Sequence, residues 1–306
     1  MIRRVARRLL WAVTTLIGTS VIVFTIVHVV PADPIAAYAG PQADAETRER
    51  IRRELGLDDP VWQQYLRFVT HAARGDFGRS YVTQQRVVDA IRSRFPTTLA
   101  LCLGGLTVWL TIAIPVGVFT ARRRDSFADR SVLVLAMVSV SLPTFWLGRL
   151  LQFQLAYRHG LLPVAGLFSW EHIILPSITL GAVGVGYYAR LVHSSMIEVL
   201  NQDYIRTARA KGLPERTVLI KHGLRNALIP VLTILGMDTA ALLGGVVFTE
   251  TVFALPGLGA LALQAVINLD IPMIMGTVMF AAVLVVGANV LVDMLYAWVD
   301  PRIRPT

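Results

Sequence analysis

Six stretches of this chain are apolar over about twenty residues each, the length a helix needs to cross a bilayer's hydrocarbon core. They are Leu9–Val30, Leu99–Ala121, Val132–Ala156, Ile173–Val192, Leu228–Thr249 and Pro272–Trp298. Pro143 lies inside the third and predicts a kink whose freed carbonyl bundle packing must satisfy. Gly181, Gly184 and Gly186 in the fourth permit close helix contact, and the fifth carries Gly236, Asp238, Gly244 and Gly245. One polar interval is long. Within Pro31–Thr98 the punctuation predicts helices over Asp44–Leu55, ended by Gly56, over Pro60–Ala73, ended near Gly75, and over Arg86–Phe95. The other connections are short, and Pro256-Gly257-Leu258-Gly259 reads as a turn. The pattern predicts an all-α integral membrane protein with six crossings and one long region between spans 1 and 2.

Composition agrees. The chain is 55% hydrophobic and 16% charged, with mean hydropathy +0.59, whereas soluble domains carry about 25% charged residues. The net charge of +9 invites a nucleic-acid reading, which the placement of the arginines excludes, because many flank apolar spans and set orientation there. Arg3, Arg4, Arg7 and Arg8 precede the first span, which exceeds a signal-peptide core in length and is read as uncleaved. Six spans then place both termini and every short basic loop in the cytoplasm, Arg122–Arg130 and the tail Asp300–Arg304 included. The long interval falls outside, since long loops largely escape the positive-inside rule. Cys102 is the only cysteine, so no internal disulfide and no cysteine-based metal site can form. The histidines lack ligand spacing, and no metal is expected. Trp11, Trp109 and Trp298 are read as interface anchors near span ends.

Between the fourth and fifth spans lies the one polar interruption with a defined shape, and both lysines, Lys211 and Lys221, fall in it. Asp203 can cap a helix, Arg209 and Lys211 suit its last turn, and Gly212 can end it in a left-handed conformation. Pro214 fits the first position of a second short helix, with Glu215 in its first turn. The simplest reading is a basic loop that only fixes orientation. Two features argue for more: Ala208 and Ala210 would let a partner approach the backbone, and the Gly-Leu-Pro bend exceeds what a charge tether needs.

The run Tyr204-Ile205-Arg206-Thr207-Ala208-Arg209-Ala210-Lys211-Gly212-Leu213, followed by Arg225-Asn226-Ala227-Leu228-Ile229-Pro230, resembles the "EAA" loop of ABC-importer permeases, especially the dipeptide/oligopeptide branch. Arg206-Thr207-Ala208 stands where the name-giving Glu-Ala-Ala would be, and the longer Gly212-to-Pro230 spacing is that of the peptide branch. The resemblance extends along the chain. It includes Gly56–Pro60 with Tyr65, Gly75–Ser80, Arg94–Leu99, Leu142–Gly148, Leu162–Gly166, Glu250–Phe253, Pro256–Gly259, Asp293 and Asp300–Arg302. The long first interval matches the "B" subunit of the permease pair better than the "C" subunit.

The resemblance implies a type I importer permease fold in a single domain over residues 1–306, with 31–98 extracytoplasmic and 194–227 as the cytoplasmic coupling loop. The implied partners are a homologous second permease, two ATPase domains that bind ATP and Mg, and an extracytoplasmic binding protein that delivers peptide. The docking residues would be Asp203, Tyr204, Arg206, Thr207, Ala208, Arg209, Ala210, Lys211, Gly212 and Leu213. Asp58, Asp76, Phe77 and Arg79 are candidates for contact with the binding protein. Asp238, Glu250, Phe253, Pro256 and Gly257 are candidates for the pathway or its gate, intramembrane acids being functional suspects by default. For Arg149, Arg190 and Asp293 a structural ion pair or a contact with the partner permease is the better reading. Neither lysine sits in a Gly-Lys-Ser/Thr context, so this chain lacks a phosphate loop and no cofactor of its own is expected. The same architecture could carry a nickel chelate or glutathione. A membrane enzyme would need a catalytic constellation around Asp238 and Asp293, and no motif supports one. An independent channel or secondary carrier is the remaining alternative, weakened by the lack of an internal repeat.

Overall fold

The computed structural model describes residues 2–29, 35, 44–54, 56–123 and 126–299, with side chains for all of these except 2–9, 29, 54, 128, 133, 140, 237, 239–241, 243–245 and 291–299. Among the described residues the only β-pairing is an isolated antiparallel bridge between Arg79 and Arg86; the elements are otherwise helical. Among the described residues five helices are long and apolar enough to cross a membrane, or six crossings if one bent pair counts as one span. The chain divides into two compact units, Met1–Thr98 with Pro256–Gly287, and Leu99–Leu255 with Ala288–Thr306.

The first unit contains α1 (Ile2–Val29), α2 (Ala45–Glu54) and α3 (Val61–Ala73). Gly56 and Gly75, at φ +62° and +74°, stand just past α2 and α3, as the sequence predicts. The third expected outer helix is not separate. It is the start of α4 (Val87–Arg122), which runs without a break into the second span. Pro96 does not end it: Thr98 and Leu101 beyond the proline are buried in helical register with Val87, Ala90 and Ile91, which pack against Leu258, Ala265 and Met273. Those partners expose a second difference. The expected turn at Pro256–Gly259 opens α11 (Leu258–Ile267), ten apolar residues too short to span and therefore legible only by their packing. Thr98 Oγ1 accepts the Leu258 amide at 2.8 Å, one of the donors a helix start leaves open. After Leu269, at φ +53°, begins α12 (Ile271–Val299). Asp270 locks the loop before α4 to it: Ser80 Oγ donates to Oδ2 at 2.5 Å and the Tyr81 amide to Oδ1 at 3.1 Å, with Ser80 fully buried and Asp270 nearly so.

The second unit holds the rest of α4, then α5 (Phe127–Ser141) and α6 (Thr144–Leu151), which continues as a π-helical segment Gln152–Arg158. The expected kink at Pro143 is a break: α5 and the segment from Thr144 meet at 103°. Leu142 and Pro143 are both extended, the conformation a proline imposes on the residue before it. A 3₁₀ turn, Trp170–Ile173, leads into α7 (Ile174–Leu200). A methyl group at Gly181, Gly184 or Gly186 would sit 2.5 Å from Val108, 2.1 Å from Trp109 and 2.5 Å from Ala136, so these glycines set helix contact at van der Waals distance. The slot at Gly184 corrects the reading of Trp109 as an interface anchor. Its indole is buried, stacks on Tyr188 at 5.1 Å and donates to the Leu180 carbonyl at 3.3 Å. Trp11 stands exposed, and the side chain of Trp298 lies outside the described residues, as do Asp293's side chain and Asp300–Arg302.

Candidate functional site

α7 ends at Leu200, and α8 (Asp203–Ala210) follows after a two-residue step. Gln202 holds the cap position in extended conformation without a side-chain cap. Asp203 is therefore the first helical residue rather than the cap. Its carboxylate meets Arg206 at 3.3 Å, and its charge suits the positive end of the helix. Two side chains of α8 turn inward: Ile205 and Ala208 are buried with Val218 and Leu200. Ala208 thus serves the segment's own core and is not open to a partner's approach, which corrects the expectation from its size. Tyr204, Arg206, Thr207, Arg209, Ala210, Lys211, Gly212 and Leu213 are exposed.

The end of α8 is built as predicted. Gly212 has φ +76°; its amide donates to the Arg209 carbonyl at 2.9 Å and the Leu213 amide to Ala208 at 3.4 Å, a Schellman closure. Pro214 precedes the next helical turn, Glu215–Thr217, instead of opening it, because its ψ of 138° is extended. Across the bend Arg209 grips Glu215 with two bonds, Nε at 3.2 Å and Nη2 at 2.9 Å. That pairing holds the Glu215 carboxyl below its ordinary range and raises the Arg209 guanidinium. The second short helix expected here does not end. It passes through a π-helical segment, Val218–Leu224, directly into α9 (Arg225–Gly245). Val218, Leu219, Gly223 and Ala227 are buried along its first turns. Asn226 on α9 donates to the Tyr204 hydroxyl at 2.9 Å and to the His222 carbonyl at 3.2 Å. The two halves of the sequence signature, 22 residues apart, meet in that bond.

Residues 113–305 match the family model described as "Binding-protein-dependent transport system inner membrane component", and residues 1–102 match the N-terminal model of the same membrane component. The chain belongs to this family. It is an ABC-importer permease subunit, a multi-pass inner-membrane protein. It is 43% identical over 305 residues to the glutathione transport system permease protein GsiC of Escherichia coli (strain K12), covering 99% of each chain. Its identity to GsiC of Salmonella paratyphi A is 42% over 304 residues, again with 99% of each covered. Among solved structures it is similar to the inward-facing MetNI methionine ABC transporter, with TM-score 0.58 and 20% identity over 69% of this chain and 96% of that one. This likeness establishes the type I permease fold.

The pathway candidates divide between the units. Asp238, on α9, is half-buried, and Tyr188 on α7 donates to its Oδ2 at 2.8 Å beneath the Trp109 stack. Glu250, on α10 (Val247–Val252), is fully buried, and its carbonyl accepts the Leu255 amide at 2.8 Å. Phe253 is buried beside it, its carbonyl accepting the Gly166 amide at 2.9 Å. Pro256 and Gly257 belong to the first unit, where Gly257 is the cap residue of α11.

Two polar clusters of the second unit escape the sequence reading. Gln152 bridges the carbonyls of Val164 and Val252, at 2.9 and 3.1 Å, and Arg149 donates to it at 3.2 Å. Arg149 therefore has a neutral amide partner. His193 lies 3.0 Å from Thr120 Oγ1 and 3.5 Å from the Asp129 carboxylate, all three largely buried. Ser126, three residues before Asp129, is the signal that could have placed this acid, since its hydroxyl accepts the Asp129 amide at the start of α5.

Of the outer-surface candidates, Asp58 is exposed and 3.9 Å from Arg52, and Arg79 is exposed with one bond to the Gln84 carbonyl. Asp76 shapes its own turn by accepting the Gly78 amide at 3.0 Å. Phe77 is half-buried: it packs against the first unit's core, with its ring 3.3 Å from the place a Cβ on Gly276 would take.

Proposed function

We propose that this permease subunit carries short peptides inward, glutathione among them, as half of a two-permease pathway powered by separate ATPase subunits. The observation that carries the coupling reading is the segment from Asp203 to Asn226. It is rigid by construction, closed at Gly212, clamped by Arg209–Glu215 and tied by Tyr204–Asn226, yet its outer face is exposed and cationic. A loop that only fixed membrane orientation would need the charge and not the shape. The ATPase subunits dock on this face and hold ATP and Mg, so the chain needs no cofactor or metal of its own. Both termini lie in the cytoplasm, and an extracytoplasmic binding protein delivers the substrate near Asp58, Asp76 and Arg79. Asp238 and Glu250 stand along the pathway, where Tyr188 orients Asp238.

The peptide class rests on the sequence signature, and glutathione, a tripeptide, on the 43% identity to proteins named for its transport. Co-expression with the neighbouring genes, purification of the complex and measurement of ATPase stimulation test the proposal. Loaded binding protein with glutathione or a dipeptide should stimulate ATP hydrolysis. Transport by this chain alone in liposomes, with no ATPase subunit co-eluting, would overturn it.

A further inference from the structure

The first unit holds an open groove of about 470 Å³ between α1 and α3, lined by Val21, Phe24, Thr25, Val61, Trp62 and Tyr65. Its walls are apolar apart from one threonine and the tyrosine hydroxyl, and they are not covered: Val61, Trp62 and Leu66 on α3 and Val21, Ile22 and Ile26 on α1 all stand exposed. In water such a surface would be an aggregation liability. Its depth gives the reason for it. The apolar run that α1 belongs to is Leu9–Val30 in the sequence, about 33 Å at 1.5 Å per residue and close to the hydrocarbon thickness. Yet α3 does not sit beyond the end of that run. Tyr65 bonds to Ser20 at 2.9 Å, and its ring and that of Phe68 lie against Phe24 at 5.3 and 6.2 Å. Ser20 and Phe24 are ten and six residues inside Val30, about 15 and 9 Å on the membrane side of it. Gln64 bonds His28 Nε2 at 3.2 Å, still within the apolar run. The opposite face of α3 carries exposed Gln63, Arg67 and Thr70.

We infer that α3 is an interfacial helix seated in the leaflet at the C-terminal end of α1, and that a phospholipid acyl chain fills the α1–α3 groove. An interfacial helix buries its apolar face about 5–10 Å below the headgroups, which takes in the contacts of the Tyr65 and Phe68 rings with Phe24. Under the topology proposed above this is the outer leaflet. The Val61–Trp62–Leu66 strip is then withdrawn from any water-borne partner, and the aqueous surface of the region falls to α2 and the loops. The inference rests on α1 being a span but not on its direction.

The test uses the full-length chain with Cys102→Ser, reconstituted in nanodiscs, with a bimane label on a single cysteine at Trp62, Leu66 or, as control, Gln63. Lipids with a nitroxide high on the acyl chain should quench labels at 62 and 66 roughly threefold more than at 63, with aqueous iodide showing the reverse order, as depth in the interface requires. Strong iodide quenching at 62 and 66 without lipid quenching would overturn the inference. So would protection of both positions from both quenchers, since that marks a protein cover. Reversed topology would leave the quenching order unchanged and would appear only in sided labelling of intact cells.

Discussion

Replacing Gly212 measures how much of the coupling reading resides in a single backbone angle. At φ +76° an L-residue pays roughly 1–2 kcal/mol for the left-handed region, with a β-branched side chain at the upper end and asparagine near the bottom. No steric term adds to this, because a Cβ at Gly212 meets nothing within 4 Å. Holding the bend closed are two backbone hydrogen bonds, worth about 1 kcal/mol each, and the Arg209–Glu215 pair. That pair is more than a third exposed on both sides, so solvent screening leaves it well under about 1 kcal/mol. The penalty for valine is therefore comparable to the restraint: the equilibrium constant for the closed bend should fall about 5- to 30-fold, leaving roughly half of the molecules open. Titrating the ATPase subunits onto permease pairs in nanodiscs should show Kd rising in the order Gly, Asn, Ala, Val. The Gly212→Val variant should reach the membrane at normal levels. Equal affinities across the series, or weaker binding by Gly212→Asn than by Gly212→Val, would refute the argument that the left-handed closure presents the docking face.

Two further outcomes follow from named contacts. Glu215 is held below its ordinary range by Arg209, so its contribution is fully present above the unfolded carboxylate value and lost as pH falls through the lower folded one. The small melting difference between wild type and Glu215→Gln should be visible at neutral pH and shrink as pH falls below the ordinary glutamate range, and a gap that does not change with acidification would contradict the pairing. Asp270→Ala strands the buried Ser80 hydroxyl and the Tyr81 amide and should destabilise the first unit by about 2–4 kcal/mol, with Ser80→Ala losing less; a melting temperature within error of wild type would show the lock to be dispensable.

Much was legible in the chain itself. Span number, the glycine-ended helices between spans 1 and 2 and the left-handed end at Gly212 are dictated by local chemistry: twenty apolar residues, a glycine after a periodic run, a proline after that. Each is decided within a few residues, so each can be read from a few residues. The failures share one cause. Arg86–Phe95 reads as a helix apart from the second span, and Pro256–Gly259 as a bare turn, until Val87, Ile91 and Met273 are seen packed with Leu258 and Ala265. Trp109 reads as an interface anchor until Gly184 opens a slot for it, and Ala208 and Phe77 read as contact residues until Val218 and Gly276 occupy their surroundings. Pro143 announces a disturbance in the third span, but whether the helix kinks or turns through 103° depends on what its two arms pack against. Tyr188–Asp238, Tyr204–Asn226 and Ser80–Asp270 join positions 50, 22 and 190 residues apart. Sequence pattern fixes which face of a helix is apolar. Which neighbour covers that face, and which polar group finds its partner there, is settled only when distant helices are brought within hydrogen-bond reach, because burial and pairing are properties of the packed chain and not of any segment in it.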